Sequence, residues 1–186
     1  MKTSSKRFTL IELLVVIAII GILAGLVFPA LGVVRNNAKK SKASSECQSL
    51  KTAIIMYESE FSCWPAKVSG SKDALVGGTE YVDMCKVLTG DNSKKMVFYE
   101  VGVGYDEKKG ILDPWGRPYQ VILDVNFDDK IDNSIQAVSS VNKLNGRNGQ
   151  DLRTRVAVYS YGVDEKDKEA TDIDKLASRK KLVISW

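Results

Sequence analysis

One carboxylate stands alone in an otherwise apolar stretch. From Phe8 to Ala30 the chain carries a single ionisable side chain, Glu12. A carboxylate at the centre of a membrane helix costs about 2.5–3.5 kcal/mol, somewhat less near an end, and therefore needs a partner. No basic residue inside the run supplies one, so the partner must be the flank, a lipid headgroup or another molecule. A second set is rich in oxygen: Asp124, Asn126, Asp128 and Asp132 fall at relative positions 1, 3, 5 and 9, the spacing of a calcium loop. Against that pattern, Asp129 stands where such loops want glycine, and Ile135 stands where they want a bidentate glutamate. The competing reading is a polar turn whose Asn and Asp side chains serve the backbone.

Other chemistry is excluded or unsupported. The 186-residue chain has no histidine, which removes Ser-His-Asp and Cys-His catalysis and most zinc sites. No spacing supports a Ser-Lys pair, and Gly102-Val-Gly-Tyr lacks the lysine and further glycines of a phosphate loop. A net charge of +4, with both signs interspersed, gives no ground for nucleic-acid binding. Trp64, Trp115 and Trp186 sit among apolar neighbours at turns and ends, as core plugs do. With no histidine and no catalytic constellation, an enzyme is the weakest reading of the residues.

The elements that position these residues follow from periodicity. The run from Phe8 to Ala30 is long enough to cross a hydrocarbon core of about 30 Å as a helix. A cleaved secretory signal would have a shorter apolar run of about 7–15 residues, followed by a small-residue cleavage site. Lys2, Lys6 and Arg7 precede the run, and Arg35, Lys39, Lys40 and Lys42 follow it, so flanking charge does not orient it. Beyond Pro29, Ala43, Cys47, Leu50, Ile54, Tyr57 and Phe61 step along one helical face and predict a buried stripe. Cys47 lies on that stripe as a small apolar residue. Trp64-Pro65 ends the helix, and Ala66 to about Asp83 reads as loop. Tyr81 to Leu88 reads as a short helix, with strands expected at Met96–Val101, Pro118–Val125, Arg155–Tyr161 and Leu182–Trp186. Asp113-Pro-Trp-Gly-Arg-Pro118 is a turn-rich hinge, and polar sequence from Ser139 to Thr154 reads as a connection.

The segment Phe8-Thr-Leu-Ile-Glu-Leu-Leu-Val-Val-Ile-Ala-Ile-Ile-Gly-Ile-Leu-Ala resembles the N-terminus of type IV pilin-like proteins, among them the type II secretion pseudopilins. Asp113-Pro-Trp-Gly-Arg-Pro-Tyr, Val158-Tyr-Ser-Tyr-Gly-Val-Asp and the terminal Ile184-Ser-Trp are similar to elements of the major pseudopilin branch. The resemblance implies an α+β fold, a long N-terminal helix packed on a small antiparallel sheet. It divides the chain into a basic leader (1–7), a transmembrane and filament-core helix (8–30) and a periplasmic head (31–186), with the helix continuing to about Phe61. A prepilin peptidase would cut between Arg7 and Phe8, followed by N-methylation of Phe8; Arg7 stands where the family usually has glycine. Glu12 and Pro29 match the family's assembly glutamate and helix-kinking proline.

By the same resemblance, Glu12 pairs with the amino terminus of a neighbouring subunit in a homopolymeric filament. The further partners implied are minor pseudopilins, the peptidase, an inner-membrane assembly platform and its cytoplasmic ATPase. Calcium is the one cofactor the family suggests, through a loop in which Asp164 and Tyr161 match; aligned locally Asp172 matches too, whereas anchoring on Ile184-Ser-Trp puts Leu182-Val183 there, and the competing reading is a solvated charged loop. In an oxidising compartment Cys63 and Cys85 are the expected disulfide, and Cys47 is left in the core. The alternatives are a type IV pilin, a DNA-uptake pseudopilin, or an uncleaved anchored module that binds calcium.

Overall fold

The structure is a computed structural model and describes residues 9–68, 70, 72–102, 104–144, 149–162 and 183–185. The chain divides into two compact units, Met1–Ala38 and Lys39–Trp186, and α1 (Leu10–Phe61) contributes to both. In the first unit its side chains from Leu10 to Leu23 are exposed, Leu10 by 85% and Ile22 by 67%. An aliphatic surface of this extent on one helix is an association surface. Among the described residues no helix is long and apolar enough to cross a membrane; their described side chains in this run extend from Leu10 to Gly25. The backbone remains helical through position 29.

In the second unit the predicted stripe is realised. Ala43, Cys47, Leu50, Ile54 and Tyr57 are buried, and Ala53 joins them. They pack on a four-stranded antiparallel sheet of order β1-β4-β5-β6. Its strands are β1 (Ala74–Val76), β4 (Gln120–Leu123), β5 (Val156–Ser160) and β6 (Val183–Ile184). Val121 pairs with Val158 and Leu123 with Val156, and all four lie in the core beneath α1. A hairpin, β2 (Tyr105–Asp106) with β3 (Gly110–Ile111), lies beside α2 (Gly78–Leu88). Gly110 has φ 78°, and a Cβ there would stand 2.8 Å from the Cys85 sulfur, so the close approach of α2 requires glycine.

The sheet is covered on both faces. Ile122, Ala157 and Tyr159 point away from α1 into a second core, filled by Ile131, Leu152 and the Ala137 and Val138 of α3 (Gln136–Leu144). Every residue of β5 is buried as a result. This corrects the expected polar connection from Ser139 to Thr154, part of which is helix.

Three further expectations change. Met96–Val101 is not a strand: Asn92 binds Met96 through both its amide groups, and Phe98 and Tyr99 both donate to the Leu88 carbonyl, holding the segment against the end of α2. The region expected as loop from Ala66 to Asp83 contains β1 and the first turn of α2. Finally, the Cys63–Cys85 disulfide is absent, and Cys47, Cys63 and Cys85 are all free. The reason is placement: Cys85 faces inward from α2, while Cys63 is exposed beyond the end of α1.

Candidate functional site

Glu12 is held by its own first turn. Its Oε2 accepts from the Thr9 N–H at 2.8 Å and the Thr9 hydroxyl at 2.7 Å, and the Glu12 N–H lies 3.3 Å from Thr9 Oγ1. This is a capping box, in which the Glu12 carboxylate takes the Thr9 amide and the Thr9 oxygen takes the Glu12 amide. Thr-x-x-Glu ahead of an apolar run is the sequence signature of this cap, and of the expected partners (flank, lipid headgroup or another molecule) the described residues show the start of the helix itself. The structure therefore gives Glu12 a partner within one chain, on an exposed face. Arg7 and Phe8 lie outside the described residues, and Pro29 is described only in its backbone.

The oxygen-rich loop after β4 is taken up by its own backbone. Asp124 is fully buried; its Oδ2 accepts from Asp129 N at 2.9 Å and its Oδ1 from Asp128 N at 3.3 Å. Asn126 also accepts from Asp128 N, Asp128 from Lys130 N, and Asp132 from Ser134 N at 2.8 Å. Phe127 and Asp129 adopt positive φ, 58° and 63°, to make these turns. Asp73 completes the group, accepting from Asp132 N at 2.7 Å. Burial, joined by the charges of Asp124 and Asp128, holds its carboxyl above the ordinary carboxylate range. Among the described residues no three potential ligands converge as a metal site. These carboxylates thus serve the backbone of their own turn. Of the second expected set only Tyr161 is described, packed edge-on against Tyr159; Asp164 and Asp172 lie outside the described residues.

Two anchors fasten these loops to the fold. Asp113, buried, accepts from Trp115 N and Arg117 N through Oδ1 and from the Ser160 hydroxyl through Oδ2 at 2.6 Å. Ser160 Oγ in turn accepts from Gly162 N at 3.0 Å, so the Asp-Pro-Trp-Gly turn secures the end of β5. At the end of α1, Trp64 donates to the Asp124 carbonyl at 2.9 Å and stacks on Phe127, with centroids 5.6 Å apart. The Arg155 guanidinium lies 5.4 Å from the Trp64 ring and pairs with Glu58 at 2.9 Å. Sequence reading missed the role of Asp113, although Asp before Pro-x-Gly is a turn signal.

An exposed apolar helix followed by a helix-backed antiparallel sheet defines a pilin-like protein. Residues 8–28 match the family described as the prokaryotic N-terminal methylation motif. Type II secretion system core protein G of Aeromonas hydrophila is 37% identical over 131 residues, covering 70% of this chain and 81% of the relative. The protein of the same name from Escherichia coli (strain K12) is 32% identical over 124 residues, 66% of this chain and 76% of the relative. Type IV major pilin protein PilE1 of Neisseria gonorrhoeae is 34% identical over 122 residues, 63% of this chain and 66% of the relative. No solved structure matches the chain significantly. The chain belongs to the family of type II secretion system core protein G, the pseudopilins.

Proposed function

We propose that the protein is a structural pseudopilin, a filament subunit of type II secretion. The observation that carries this reading is the coincidence of the methylation motif at 8–28 with the exposed aliphatic surface of α1. A prepilin peptidase cuts between Arg7 and Phe8, and Phe8 is N-methylated. Before assembly the apolar helix anchors the subunit in the inner membrane with its head in the periplasm. In the filament the helices bundle, which keeps their aliphatic side chains out of water once the subunit has left the bilayer. Minor pseudopilins, the assembly platform and its cytoplasmic ATPase complete the machinery.

In this reading Glu12 exchanges partners. Its capping bonds to Thr9 satisfy the carboxylate in the single subunit, and the free amino group of a neighbour's Phe8 offers a charged alternative on assembly. The Thr9 bonds join the carboxylate to neutral donors, whereas a protonated amine adds full charge attraction in apolar surroundings, which favours the exchange. The N-terminal peptide mass tests processing: a methylated Phe8 start supports it, and an intact leader ending in Arg7 refutes it. Glu12→Ala should leave the protein in the membrane and abolish filaments seen by electron microscopy. Normal filaments from that variant would sink the register role.

A further inference from the structure

Charge is distributed along α1 in a way that the filament core does not use. Glu12 and Arg35 are consecutive ionisable side chains, and the 22 residues between them, Leu13 to Val34, span about 33 Å at 1.5 Å per residue. That matches a hydrocarbon core of about 30 Å. The aliphatic surface persists to the end of this stretch, with Leu31, Val33 and Val34 all exposed. Arg35, Lys39, Lys40 and Lys42 then follow within eight residues, and the next carboxylate is Glu46.

Little within the chain neutralises these four cations. Lys42 lies 3.7 Å from Glu46, whose other oxygen accepts from the Tyr119 hydroxyl. Arg35, Lys39 and Lys40 pair with no carboxylate among the described residues. Elsewhere in the second unit Lys86 pairs with Asp83, Lys94 with Glu60, Lys130 with Asp128 and Arg155 with Glu58. In the anchored subunit the 35–42 stretch lies on the translocated side of the membrane, where Lys and Arg are ordinarily scarce. Cations kept there without carboxylates call for an external counter-charge.

We propose that the basic 35–42 stretch of α1 docks on anionic lipid headgroups of the periplasmic leaflet and holds the unassembled subunit against that surface. The inference rests on the membrane-anchored reading and goes beyond it by naming a surface and the lipid chemistry that it fits. The length of the apolar run selects this partner, because a run matched to the hydrocarbon core delivers Arg35 to the depth of the phosphates. Lys39, Lys40 and Lys42 reach the same layer by laying their aliphatic stems back along the helix. Their attraction to an anionic surface extends over about one Debye length, roughly 8 Å at physiological salt.

A label placed among these cations tests the contact in the full chain. Ser41→Cys in a Cys63→Ser background supplies one reactive thiol, since Ser41 is exposed while Cys47 and Cys85 are buried. The thiol carries a polarity-sensitive fluorophore, and the protein is reconstituted in vesicles of phosphatidylcholine alone or of phosphatidylcholine and phosphatidylglycerol in equal parts. Phosphatidylglycerol should shift the emission to shorter wavelength and shield the label from aqueous iodide, and high salt should reverse both. Lys39→Gln, Lys40→Gln and Lys42→Gln should each weaken the association with phosphatidylglycerol about fivefold, and the triple variant should lose the response. Replacement of the same lysines by Arg should keep it. Protein that floats with neutral vesicles but gives the same emission in both compositions overturns the headgroup contact and leaves the anchored reading intact. A triple Gln variant that responds as its parent does also overturns the proposal. Protein that floats with neither composition removes the anchored reading and the proposal together.

Discussion

At the scale of single residues, burial decides which groups react and which titrate. Burial pushes the Cys47 thiol up to about 12 and the Cys85 thiol up to about 11, so neither forms the thiolate that attacks a maleimide near neutral pH. Cys63 is exposed. The native chain in detergent should take up one maleimide and the unfolded chain three, as read by intact mass. Asp73 gives a signed pH effect. Its folded pKa is raised above the ordinary 3.8 by burial first and by Asp124 and Asp128 after it. The folded state therefore holds its proton to higher pH than the unfolded state, and stability falls as pH rises through the window above 3.8. Asp73→Asn should raise the melting temperature at pH 7, and the gain should fade as pH approaches 4. An equal gain at both values would exclude titration of Asp73 as the cause. Individual side chains were unevenly legible. Glu12 stood out because a charge in an aliphatic run is conspicuous, and Cys47 because its spacing matched the stripe. Asp113 did not stand out, because its third bond reaches Ser160 on a strand far along the chain.

At the scale of elements, α1 and the central strands were legible for a physical reason. α1 has one helical period imposed by a single buried stripe, and the central strands are short runs rich in β-branched and aromatic residues. The short pieces were not. β2, β3 and β6 are two residues each, too short to show a period, and their pairing depends on distant partners. α3 was hidden because only Ala137 and Val138 of its described side chains enter the second core, beside Ile131 and Leu152 from the flanking loops. The clue lay in β5, whose Val-Ala-Val-Tyr run is apolar on both faces and so requires cover on both. Both cores then bear on stability. Leu50→Ala, on the buried stripe of α1, and Ile122→Ala, in the core on the opposite face of the sheet, should each cost about 2–5 kcal/mol. Thermal melting of the full chain in detergent checks this, and an unchanged melting temperature for Ile122→Ala would remove α3 as a structural layer.

At the scale of the whole molecule, two units with opposed surface character share one helix. The first exposes aliphatic side chains along its described length, and the second buries its apolar residues around the sheet. A chain beginning at Asn36 should therefore stay monomeric in buffer without detergent, whereas the full chain should aggregate or require it; sedimentation distinguishes the two. The anchor carried by Asp113 has a consequence of another kind. β5 and β6 are paired neighbours, Ser160 beside Val183, so the chain leaves the sheet and re-enters it across one inter-strand gap of about 4.8 Å. The hydrogen bonds of Asp113, Ser160 and Gly162 fasten the point of departure. The sheet thus holds the two points of departure and return like the jambs of a door frame, set by β5 and β6 themselves.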